Sequence, residues 1–87
     1  MADLTEDDSR EAVCERLTRI RVYSKLNKKE FSESLNMSPQ AWGEYENGRR
    51  DLPLPVAKKL REVYAIPLEF TYFGNKADLP HRMATEL

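Results

Sequence analysis

The sequence predicts an all-α domain of five helices built around a central pair joined by a tight corner. Apolar residues recur at three- and four-residue spacing through most of residues 13–73. Helix punctuation brackets these runs: Ser9, Asn27 and Ser38 stand before them, and Asn36, Asn47-Gly48 and Gly74 after them. The chain has 87 residues, one cysteine and one histidine, so it can build neither an internal disulfide nor a clustered zinc site. A domain near the lower size limit for a self-standing core must then close that core with compact helices.

Residues 1–8 are polar and acidic and are expected to fray. Ser9 caps the first helix, with Glu11 and Glu15 near its positive end, and the helix runs to about Lys25. Val13, Leu17, Ile20 and Ser24 share one face. Cys14 lies beside that face and reads as a small, half-buried hydrophobe.

Asn27 opens the second helix, and Glu30 sits three residues on, where a capping box needs it. Phe31 and Leu35 form its apolar side. Asn36 tolerates a left-handed backbone and can turn the chain. Ser38 caps a third helix, and Pro39 at its first position loses no hydrogen bond, because that N–H has no partner in any residue type. Trp42 and Tyr45 point to the core, leaving Gln40, Gly43 and Glu44 outside. Asn47-Gly48 stops the helix and Arg49-Arg50 follow at once. A corner this short forces a steep crossing, the helix-turn-helix geometry in which the second helix can lie in a DNA major groove.

Asp51-Leu52-Pro53-Leu54-Pro55 is expected to be extended by its prolines. A fourth helix then carries an apolar stripe of Val56, Ala57, Leu60, Val63 and Tyr64, with Lys58, Lys59 and Arg61 on other faces. Ala65-Ile66-Pro67 breaks the pattern, with Pro67 expected as the first residue of a fifth helix that ends at Gly74. Leu68, Phe70, Tyr72 and Phe73 are more large apolar residues than one core-facing side needs, which leaves some for a contact with a second copy. Residues 75–87, with Pro80 and an incidental His81, read as a tail or loosely docked arm. The division is thus 1–8, 9–74 and 75–87.

Net charge is −1, but it is unevenly placed. Residues 15–64 hold eleven Lys/Arg against seven Asp/Glu, whereas residues 1–14 sum to −4 and residues 65–87 to −1. The helix-turn-helix segment is the basic part, a modest footprint for a nucleic-acid partner. No apolar run approaches the roughly 20 residues of a membrane span. The opening MADLTEDD has neither the basic nor the apolar region of a signal peptide, so a reduced cytoplasmic setting beside the nucleoid is expected. No nucleophile–base pair, metal cluster or phosphate loop is visible; an enzyme, a cofactor and a metal are not expected.

Phosphate contacts would hold such a protein on DNA and base contacts would choose the sequence. Lys28 starts the second helix beside free N–H groups, which suits a phosphate. Asn47, Gly48, Arg49 and Arg50 offer an amide, exposed N–H groups and two guanidinium groups. Gln40 can pair bidentately with adenine, and Pro39 can touch a thymine methyl. Gly43 reads either as room for close groove approach or as a tolerated glycine. Glu44 can accept from cytosine N4 or pair within the protein.

The chain resembles the phage repressor/Cro-like (XRE-type) helix-turn-helix domains. The resemblance rests on Leu17-x-x-Ile20-Arg21, Lys28-x-Glu30-Phe31-Ser32 and Met37-Ser38-x-x-x-Trp42-x-x-Tyr45-Glu46-Asn47-Gly48-Arg49-Arg50, and spans residues 13–74. It implies a five-helix lambda-repressor-like domain and a transcriptional regulator whose helix 38–46 reads double-stranded DNA, working as a homodimer through residues 67–73. The DNA-facing set it implies is Lys28, Ser38, Pro39, Gln40, Gly43, Glu44, Asn47, Arg49 and Arg50. It also implies a partly buried ion pair between Arg21 and Glu46, where the residues alone allow a solvated arginine. Ser32 falls where the family keeps a small side chain, Asn36 replaces its usual corner glycine, and Trp42 is larger than its usual aliphatic residue. The competing expectation is an interaction module, antitoxin-like or a phage factor, that docks a protein through its aromatic fifth helix.

Overall fold

Local side-chain-to-backbone hydrogen bonds start the first three helices. In the computed structural model, which describes residues 7–87, Ser9 Oγ accepts from the Ala12 N–H and opens α1 (Arg10–Ser24). Asn27 Oδ1 accepts from the Glu30 N–H at 2.8 Å while Glu30 Oε1 accepts from the Asn27 N–H at 3.1 Å. That reciprocal box opens α2 (Lys28–Ser34). Ser38 Oγ accepts from the Ala41 N–H and opens α3 (Pro39–Glu46). Between α2 and α3, Asn36 takes φ 58°, the left-handed conformation expected of it.

Helix α4 (Leu54–Tyr64) starts one residue before Pro55 rather than after it. A proline is tolerated in the first turn because its missing N–H has no partner there. Helix α5 (Leu68–Phe73) uses Pro67 as its cap and not as its first residue, and Gly74 closes it at φ 82°. Among the described residues there are six helices and no strand.

Residues 75–87, expected as a tail or loosely docked arm, hold a sixth helix, α6 (His81–Glu86). Leu79 and Leu87, on either side of it, are 7% and 4% exposed and belong to the core, with Met83 packed against them. The interior proper is Leu17 and Ile20 of α1, Phe31 and Leu35 around α2, Trp42 of α3, Leu60 of α4, Ile66 and Phe70. Trp42 has no exposed surface and meets Phe31 edge-on at 4.8 Å between ring centres. Tyr64 stacks on the other side of Phe31 at 5.1 Å. Trp42 is therefore a core anchor, and Ser32, also fully buried, is small where α2 meets its neighbours. Of the four large apolar residues of α5, Phe73 alone is largely exposed. Phe70 is buried, Leu68 and Tyr72 are half-buried, and the Tyr72 hydroxyl donates to Leu52 O at 2.9 Å.

The expectation that residues 1–8 fray falls mostly outside the described residues. Within them, the Asp7 N–H donates to Phe73 O at 3.0 Å. Arg16, which carried no expectation, lies under that junction and is 7% exposed. Its guanidinium donates to Thr71 O and Asp7 O, fastening α1 to the carbonyl end of α5. Burial pushes its pKa below the ordinary arginine range, against the pull of Asp7.

Candidate nucleic-acid interface

Trp42 and Tyr45 hold α3 by its inner face, so Pro39, Gln40, Gly43, Glu44 and Asn47 are left on the other. Pro39, Gln40 and Asn47 are exposed and Glu44 is half-buried, but Gly43, expected outside, is buried with the Lys28 side chain over it. Lys28, from the start of α2, reaches over the same face. A Cβ added to Gly43 would meet Lys28 Nζ at 3.8 Å and nothing nearer, so the chain's own packing does not require glycine there. Lys28, Pro39, Gln40, Gly43, Glu44, Asn47 and Arg49 line one shallow depression. Seven of the nine residues singled out from the sequence thus come together. Ser38 is occupied as the cap of α3, and Arg50 turns away.

Arg50 NH1 lies 3.2 Å from Glu44 Oε1, and its guanidinium carbon is 5.6 Å from the centre of the Tyr45 ring. Arg49 is exposed and makes no side-chain hydrogen bond or ion pair among the described residues. One expectation is corrected here. The N–H groups of residues 47–50 are not exposed donors: those of Asn47 and Gly48 donate to Gly43 O and Tyr45 O, and those of Arg49 and Arg50 both donate to Glu44 O. With Gly48 left-handed at φ 78°, the loop wraps back and satisfies the last carbonyls of α3. Only side chains of this loop can reach an anion. The Lys28 and Lys29 N–H groups, by contrast, have no partner among the described residues.

The rear of α3 is tied down by one carboxylate. Glu46 accepts from Arg21 Nε at 3.0 Å, Arg21 NH2 at 2.9 Å, Thr18 Oγ1 at 3.0 Å and Trp42 Nε1 at 2.6 Å. Its side chain is 8% exposed and that of Arg21 23%, so the pair is partly buried. Burial alone would raise the Glu46 pKa, but the bonds from Arg21, Thr18 and Trp42 outweigh it and hold the carboxyl below its ordinary value. The bond to Glu46 in turn raises the Arg21 pKa, so both partners favour the ionised pair.

Two further ties were not visible in the sequence. Arg10 Nε donates to Asp51 Oδ1 at 2.7 Å and its NH1 to Gly48 O at 3.3 Å, fixing the basic loop to the start of α1. Cys14 Sγ donates to Tyr45 O at 3.2 Å, and burial raises its pKa, which suits a packed thiol and not a reactive one. Among the described residues no three His, Cys, Asp or Glu side chains converge to hold a metal ion, and no helix is long and apolar enough to cross a membrane.

A family model described as Helix-turn-helix matches residues 17–70, from the middle of α1 into α5. No curated protein and no solved structure matches the chain.

Proposed function

The chain belongs to the helix-turn-helix family of the Cro/repressor type, and from that DNA-binding membership we propose a sequence-specific transcriptional regulator acting as a dimer on double-stranded DNA. The observation that carries this reading is the depression on α3, which gathers Gln40, Glu44 and Asn47 on one face with the Lys28 ammonium and the Arg49 guanidinium beside them. In this reading α3 enters the major groove. Gln40 reads a base edge, its amide suiting adenine N6 and N7, and Pro39 lies against a thymine methyl. Gly43 lets the helix come close, and Lys28, Asn47, Arg49 and Arg50 hold phosphates on either side. Glu46 and Arg21 hold the reading helix against α1.

One such domain spans few base pairs, so two copies on half-sites about 34–36 Å apart supply the rest of the specificity. Residues 67–73 are the proposed contact between copies, and the exposed Phe73 supports it. The setting that follows is the cytoplasm, at the nucleoid. Exposed Phe73 and the acidic Glu44 equally favour a second reading, a module that docks a protein partner and binds DNA weakly or not at all.

Selection of bound duplexes from a random pool, followed by gel shift with the wild type and an Arg49→Glu/Arg50→Glu variant, tests the choice. A palindromic consensus and loss of binding in the variant are expected. Equal, weak retention of DNA by both proteins would overturn the regulator reading in favour of the docking module.

A further inference from the structure

Arg50 is held in a posture that phosphate contact would have to undo. Its guanidinium lies along α3, paired with the Glu44 carboxylate at 3.2 Å and set against the Tyr45 ring. The backbone brings the two residues together, because the N–H groups of Arg49 and Arg50 donate to Glu44 O at 2.9 and 3.3 Å. Arg49, one residue away, has no such partner among the described residues. The pair is also weak enough to exchange: the Arg50 side chain is 61% exposed and that of Glu44 33%. An exposed pair of this kind shifts an equilibrium by at most about fivefold.

We propose that Glu44 and Arg50 form a latch that sets base selectivity. Arg50 goes over to a DNA phosphate only where Glu44 finds a donor of its own in the groove, the exocyclic amino group of cytosine being the best fitted. The inference rests on the regulator reading above. Its physical basis is that a carboxylate on the reading face, stripped of its guanidinium among phosphates, must be paired or it opposes binding. In the major groove cytosine N4 gives it a hydrogen bond with no acceptor of the same base beside it, adenine N6 does so only next to the repelling N7, and guanine N7 and O6 and thymine O4 offer only acceptors. On a wrong sequence the latch stays shut, and both a phosphate contact and a base contact are lost. Glu44 thus discriminates by withholding Arg50 as well as by touching a base.

The test compares wild type, E44Q and R50A by fluorescence anisotropy over a range of salt concentrations. Two duplexes are used: the one selected by the wild type from a random pool, and one of random sequence. E44Q is expected to bind the random duplex about fivefold tighter while gaining less on the selected one, so that the ratio of the two affinities falls. Selection with E44Q should lose a cytosine preference at one position of each half-site. In the wild type the slope of log affinity against log salt should be steeper on the selected duplex than on the random one by about 1 per subunit, because Arg50 reaches a phosphate only there, and in R50A that difference should vanish. An unchanged affinity ratio in E44Q overturns the latch, as do equal wild-type salt slopes on the two duplexes, which would make Glu44 a simple repeller of phosphates. A wild type that binds neither duplex overturns the regulator reading and the latch together. A wild type that discriminates normally beside an indifferent E44Q overturns the latch alone.

Discussion

Glu46→Ala removes a carboxylate on which four hydrogen bonds converge, three of them from α1 and one from Trp42. Removing one partner of a buried ion pair costs about 3–5 kcal/mol. Arg21 keeps enough exposure to be partly rehydrated, which argues for the lower end. The indole N–H cannot be rehydrated so easily, since Trp42 has no exposed surface, and an orphaned buried donor costs about 1–3 kcal/mol. About 4 kcal/mol in all is expected. A domain of this length has about 4–13 kcal/mol of stability to lose. The midpoint of thermal unfolding should fall by about 16–32 °C, read by circular dichroism and by the fluorescence of the single tryptophan. Arg21→Met should cost less, because Glu46 keeps Thr18 and Trp42 as donors, and the double variant should show a coupling of at least about 1 kcal/mol. A midpoint that drops by less than about 4 °C in Glu46→Ala would refute the argument that this carboxylate ties the reading helix to α1.

The same carboxylate makes stability depend on pH. Its folded pKa lies below the ordinary 4.5, so its contribution is complete above that value and is lost as pH falls through the folded pKa. The urea midpoint should fall on acidification below about pH 4.5, and fall less in Glu46→Gln. Arg49→Ala should weaken binding to all duplexes alike and lower the slope of log affinity against log salt by about 1 per subunit, where the wild-type dimer is expected near −5; a sequence-dependent loss would move Arg49 to the base-reading set. Gly43→Ala should stabilise the fold by about 1 kcal/mol, since the new methyl meets only Lys28 Nζ at 3.8 Å. It should also weaken DNA binding by about tenfold, and unchanged binding would mean that α3 does not approach so closely. Leu79→Ala should cost about 2–3 kcal/mol in urea unfolding if residues 75–87 belong to the core, and under about 1 kcal/mol if they do not.

The starts of α1, α2 and α3 and the corner at Asn36 were legible because each is decided within a few residues. A cap needs an oxygen on one residue and an N–H two or three places on, and both are written in the sequence. The inward set of Leu17, Ile20, Phe31, Leu35 and Trp42 was legible for a similar reason: helical spacing alone sorts faces. What the chain does with its arginines was not. Arg16, Arg21, Arg49 and Arg50 are chemically alike, yet one is buried under α5, one grips Glu46, one has no partner among the described residues and one is folded onto Glu44. Each fate depends on acceptors that packing delivers, in the case of Arg16 from a carbonyl 55 residues away. The loop N–H groups followed the same rule, turning inward because α3 ended with unpaired carbonyls. Leu79, Met83 and Leu87 do stand four apart, a helical stripe, but six residues cannot sustain a helix by themselves. Only burial of Leu79 and Leu87 in the core supplied by the other helices makes α6 form. Residues near in sequence determined where the helices begin and which way they face; the tertiary structure decided which charges are left free to meet DNA, because a buried charge takes its partner from wherever the fold brings one.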